Sequence, residues 1–171
     1  PEFTMGDMMR KRNEIIAQLK DEGVFDLQKE LRLSSFASRI AIISSNTAAG
    51  YGDFCNQLTN NEFGLTFQTE LFQATMQGNR AEGDIIACLN EINAREEEFD
   101  VVVIIRGGGA TADLSSFDTL LLAENVANFP LPIITGIGHD RDESVLDLVS
   151  FLKVKTPTAA AAFLIERLSS T

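Results

Sequence analysis

The chain has 171 residues, 44% hydrophobic and 23% charged, which suits one soluble globular domain with a proper core. No apolar run is long enough to cross a bilayer, and no basic-then-apolar leader opens the chain. The net charge of −11 is uneven: seven basic and seven acidic residues cancel up to Arg39, whereas seven basic face eighteen acidic from Ile40 onward. That balance opposes a nucleic-acid groove built from this segment alone. Cys55 and Cys88 show no metal-finger spacing and read as reduced thiols of a cytosolic protein.

The chain begins at Pro1, so it is expected to be a piece of something longer. Residues 6–22 form an expected helix with apolar Met8, Ile15, Ile16 and Leu19, Asp7 as N-cap and Gly23 as C-cap. Its cluster Arg10-Lys11-Arg12 reads as a solvated face. Residues 39–45 are a buried strand, 46–53 a loop and 53–60 a helix. A second strand is expected over 65–74 with one better-covered face, a helix over 79–94, and a third strand over 100–105. A helix over 113–128 passes through Leu114, Phe117, Leu121 and Val126, followed by a strand over 130–137 and a helix over 143–151. The last helix opens with Thr156 as N-cap and Pro157 as N1. Alternation of strand and helix predicts a three-layer α/β sandwich around a mostly parallel sheet of about four strands, flavodoxin- or Rossmann-like, in the order 2-1-3-4. Residues 1–38 are its N-terminal helix and connector, and 39–171 the α/β domain.

Three strands end in unusual residues: Ala48-Ala49-Gly50-Tyr51-Gly52-Asp53 after the first, Arg106-Gly107-Gly108-Gly109 after the third, and Gly138-His139-Asp140-Arg141-Asp142 after the fourth. Ligands of open α/β sheets bind at that end of the strands. A tight turn needs one or two glycines; a third suggests backbone amides brought close to an anion. A guanidinium matches phosphate geometry, although Arg106 could instead pair with an acidic neighbour. His139 is the single histidine of the chain and lies among carboxylates that could orient or charge it. The plainer reading is a turn in which Asp142 caps the next helix.

Other sites are excluded. Gly136-Ile137-Gly138 begins like a dinucleotide fingerprint, but Arg141 takes the third glycine position. There is no phosphate-binding P-loop sequence and no GxSxG elbow. One histidine excludes a multi-histidine metal centre; the metal is unassigned, with Mg²⁺ on Asp53 or Asp142 left open.

Arg106-Gly-Gly-Gly-x-x-x-Asp-Leu-x-x-Phe117-Asp118, Pro132-Ile-Ile-Thr-Gly-Ile-Gly-His139-Asp-x-Asp142 and Thr156-Pro-Thr-Ala-Ala-Ala stand in order and in register. With Gly6-Asp7-Met8 and Arg10-Lys11-Arg12, residues 21–26 and residues 44–53, they resemble the exodeoxyribonuclease VII large subunit over nearly the whole chain. The resemblance implies a cytoplasmic bacterial nuclease that degrades single-stranded DNA from either end to oligonucleotides. It also implies an N-terminal OB fold and a C-terminal helical region that collects several small subunits, both outside this chain, the former supplying a basic strand-binding groove. The family's essential residues fall on Asp53, Arg106, His139 and Asp142. Asp140 stands where the family usually has glutamate, Lys153 where arginine is common, and Ala162 where glutamate often follows the alanines. The rival reading is a non-catalytic α/β domain holding a nucleotide or sugar phosphate at Gly107, Gly108 and Gly109. A third is a docking module built on the first helix.

Overall fold

A computed structural model describes residues 5–34, 36–45, 49–76, 78, 80–106, 117–137 and 144–169. Among these, five parallel strands form one sheet in the order β2-β1-β3-β4-β5: β1 (Arg39–Ser44), β2 (Gln68–Gln73), β3 (Val101–Ile105), β4 (Ile133–Gly136) and β5 (Leu152–Lys153). The expected order 2-1-3-4 is present, and β5 adds a fifth strand beside β4. Two residues at the close of a helical pattern carry no periodicity of their own, so β5 is set by its pairing with Ile134 and Thr135.

All five residues of β3 are buried, as a β-branched run covered on both faces should be. Ala41, Ile43, Val102, Ile104 and Ile133 point into one core, under α1 (Met5–Asp21), α3 (Ala81–Ala94), α4 (Leu120–Ala127) and α5 (Val145–Val149). Ile40, Ile42, Val101, Val103, Ile105 and Ile134 point the other way, toward α2 (Ala49–Thr59) and α6 (Pro157–Ser169). Period-two alternation thus divides the strands between two cores and makes three layers. Cys88 packs in the first core and Cys55 against the second; both are free thiols, and burial pushes that of Cys88 up to about 11.

The edge strand β2 is more exposed than its alternation suggests: only Phe72 is buried. Phe72 meets Phe99 edge-on, with centroids 5.7 Å apart, and Arg95 lies over both rings while pairing with Glu70 at 2.7 Å.

Helix ends refine the expected boundaries. Asp7 lies inside α1 rather than at its N-cap. Gly23 (φ +76°) does close α1: its N–H bonds Lys20 O at 3.0 Å and that of Val24 bonds Leu19 O at 3.0 Å, the paired bonds of a Schellman end. Thr156 caps α6 as expected, accepting from Ala159 N at 3.1 Å. The helix expected from 113 begins only at Leu120. Thr119 is its N-cap, and Phe117, in a 3-10 turn, and Asp118 precede it as buried residues outside α4; Leu114 lies outside the described residues.

Candidate active site

The chain leaves β1 toward β2 on one side and continues through β3, β4 and β5 on the other, so the strand order reverses between β1 and β3. Connections at such a point diverge to opposite faces and open a crevice at the carboxyl edge. The register aligns that edge: Ile43 pairs with Ile104, Ile104 with Thr135, and Ile105 with Gly136. All three strand ends chosen from the sequence therefore lie side by side. Asp53 stands on the exposed face of α2, the helix following β1. Ser44, the last residue of β1, is fully buried, and its hydroxyl has no hydrogen-bond partner among the described residues.

Arg106 follows β3 directly and is half-buried. Its backbone N–H donates to Gly136 O at 3.3 Å, and its Nη2 donates to Ile137 O at 3.3 Å. The guanidinium lies 6.0 Å from the centroid of Phe117, which is fully buried. The cation is thus held at the β3–β4 junction by a carbonyl on one side and a ring on the other. Gly107, Gly108, Gly109, His139 and Asp142 lie outside the described residues.

Beyond the 107–116 segment, the Asp118 carboxylate is buried and divides its oxygens. Oδ1 accepts Val145 N–H at 2.7 Å, and Oδ2 accepts from Arg12 Nη2 at 3.1 Å. Arg12 is therefore not part of a solvated patch: its side chain is 28% exposed against 9% for Asp118, whereas Arg10 and Lys11 are exposed as expected. Beyond the 138–143 segment, Ser144 caps α5 in a capping box with Asp147, taking the position considered for Asp142. Asp147 is buried with both oxygens satisfied, Oδ1 by Thr135 Oγ1 at 2.8 Å and Oδ2 by Ser144 N and Oγ at 3.0 Å. Its network therefore ties β4 to the start of α5.

Sequence reasoning missed Asp118 as a site element, although it stood within the quoted motif, and dismissed its partner Arg12. No spacing rule links residues 106 apart. Among the described residues no group of three or more His, Cys, Asp and Glu could hold a metal ion, and no helix is long and apolar enough to cross a membrane.

The parallel sheet whose order reverses between β1 and β3, covered by helices on both faces, defines a doubly wound α/β domain. The profile of the exonuclease VII large subunit family matches residues 24–171, and the chain belongs to that family. It is 36% identical over 168 residues to the exodeoxyribonuclease 7 large subunit of Deinococcus radiodurans, covering 96% of this chain and 40% of that protein. It is 39% identical over 145 residues to that of a Nostoc species (84% and 34%) and 32% over 159 residues to that of Lactobacillus helveticus (93% and 35%). The chain thus spans 40% or less of the length of these relatives. A 3-dehydroquinate dehydratase-like protein from Bifidobacterium longum aligns with a TM-score of 0.44 at 12% identity, over 78% of this chain and 97% of that one, too loosely to inform function.

Proposed function

We propose that residues 39–171, with 1–38 as helix and connector, are the catalytic domain of a cytoplasmic exodeoxyribonuclease that hydrolyses single-stranded DNA from either end to oligonucleotides. The observation that carries this reading is Arg106, a guanidinium fixed between Ile137 O and the Phe117 ring at the switch-point edge of a chain of this family. There it can meet the non-bridging oxygens of a phosphodiester together with amides from Gly107, Gly108 and Gly109, stabilising charge that develops as water attacks phosphorus and the P–O bond breaks. His139 serves as general acid or base, or as a covalent nucleophile, with Asp142 orienting it. Asp53 is a second acid/base group or a Mg²⁺ ligand. The acidic balance of this domain requires that strand capture fall to basic surfaces elsewhere in the longer protein, where several small subunits also assemble.

The test is degradation of end-labelled single-stranded DNA by the full large subunit with its small subunits, wild type against Asp53→Ala, Arg106→Ala, His139→Ala and Asp142→Ala, with and without EDTA. Loss of cleavage with DNA binding preserved is expected for all four variants, and the EDTA lanes decide the metal. Undiminished cleavage by Arg106→Ala and His139→Ala would move the chemistry elsewhere and leave a phosphate-binding domain.

A further inference from the structure

β3 and β4 end side by side at the carboxyl edge, and the described chain is cross-tied just before residues 107–116 and 138–143 and again just after them. At the beginnings, Arg106 Nη2 donates to Ile137 O at 3.3 Å. At the ends, Val145 N–H donates to Asp118 Oδ1 at 2.7 Å. Phe117 joins the two ties, since its buried ring lies under the Arg106 guanidinium and its neighbour is Asp118. The second tie is charged and buried, which makes it dependent on a counter-ion. That counter-ion is Arg12, whose Nη2 donates to Asp118 Oδ2 at 3.1 Å. Arg12 reaches it because α1 runs back along the sheet. Gln28, seven residues past the end of α1, bonds at the opening of β4, while Arg12, midway along α1, bonds Asp118 just ahead of α4.

We infer that Asp118, clamped by Arg12 of α1, is a positioning residue of the nuclease crevice: it holds the start of α5 through Val145 N–H and, next to Phe117 in the chain, steadies the ring on which the Arg106 guanidinium lies. The inference rests on the proposed nuclease reading. Asp118 and Arg12 touch no reacting atom; they act through Val145 and through Phe117 beneath Arg106. Residue pairs of this kind govern rate more than affinity, because a displacement of about 1 Å can cost roughly a hundredfold in turnover while binding contacts elsewhere persist.

The full large subunit with its small subunits is assayed on single-stranded DNA for kcat and KM, comparing wild type, Asp118→Asn, Arg12→Gln, Arg12→Lys, the Asp118→Asn/Arg12→Gln double variant and Arg106→Ala. Asp118→Asn keeps an oxygen for Val145 N–H but loses the charge that holds Arg12. It and Arg12→Gln are expected to lower kcat by about tenfold to a hundredfold with KM within about threefold. Arg12→Lys restores most of the loss, and the double variant is no slower than the worse single one, since both changes break one contact. A merely structural pair would lower melting temperature and leave the kcat of the folded enzyme unchanged. Values of kcat within about twofold of wild type for both Asp118→Asn and Arg12→Gln would overturn the inference. If Arg106→Ala is dead while those two are active, only this inference falls. If wild type does not cut, or Arg106→Ala cuts as well as wild type, the nuclease reading fails and takes the inference with it.

Discussion

The side-chain oxygen of Gln28 accepts the backbone N–H of Ile133 at 2.8 Å, while its Nε2 donates to Phe129 O and Leu131 O, each at 3.0 Å. Gln28 is wholly buried, and its one amide satisfies three main-chain groups where the chain turns into β4. Gln28→Ala leaves all three without that partner and should destabilise the domain by roughly 2–4 kcal/mol. Gln28→Glu should be no better, because a carboxylate cannot donate to the two carbonyls. Urea denaturation of the two variants checks this; a midpoint unchanged in both would mean the bracket contributes nothing.

Arg106→Lys keeps the positive charge at the end of β3 and loses the planar fork that bonds Ile137 O and covers Phe117. Turnover on single-stranded DNA should fall at least about tenfold, with melting little changed. Phe117→Leu preserves most of the buried volume and should cost under about 1.5 kcal/mol of stability while still lowering kcat, because the guanidinium loses its platform. Equal turnover by Arg106→Lys and wild type would reduce Arg106 to a point charge.

A Cβ at Gly136 would stand 3.3 Å from Ile105 Cγ2 and 3.5 Å from Val154 Cγ2. Ile105 and Gly136 are paired across β3 and β4, so any relief displaces the carboxyl edge. Gly136→Ala should therefore cost about 1 kcal/mol and Gly136→Val clearly more, by overpacking. Because Gly136 O also receives the Arg106 N–H, the same variants should slow cleavage beyond their effect on stability. Thermal melts read beside single-turnover rates would separate the two effects.

Burial alone would raise the pKa of Asp100, but the Arg39 side chain at 2.9 Å and the amides of Arg39 and Ser38, at 3.0 and 3.1 Å, hold the carboxyl below the ordinary aspartate value. The folded state then binds fewer protons than the unfolded chain over that interval, so stability rises with pH across it. This contribution is fully present above about pH 4, the ordinary aspartate range, and is lost as pH falls through the lowered folded value. Asp100→Ala should cost about 1–3 kcal/mol at pH 7 and flatten the acid limb of the stability profile. Unfolding measured from pH 6 to pH 2 tests the sign: an unchanged acid limb would place the proton-linked loss at other carboxylates.

The continuous apolar run of Val101 to Ile105 and the alternation of strand with helix were enough to read a parallel sheet, because burial on both faces leaves no polar alternation; the order 2-1-3-4 was expected only as the common doubly wound arrangement. Thr156 and Gly23 were legible as helix ends for the same local reason: caps depend on hydrogen bonds within one turn. Asp7 misled because α1 begins two residues earlier. Helical spacing through Phe117 also misled, since Phe117 precedes α4 and is buried beneath Arg106 for tertiary reasons. Within the site, the glycines and the arginine could be recognised by type, as could the strand ends that carry them.

Residue chemistry and periodicity by themselves determined the α/β architecture and the family likeness of the motifs. These depend on which side chains avoid water and on bonds between neighbours along the chain. Only the tertiary structure decided that β5 joins the sheet, that Gln28 closes the start of β4, and that Arg12 and Asp118, 106 residues apart, share a buried charge beside Val145. Those choices were made by backbone groups and charges that must find partners once buried, and such partners are set by where the folded chain brings them.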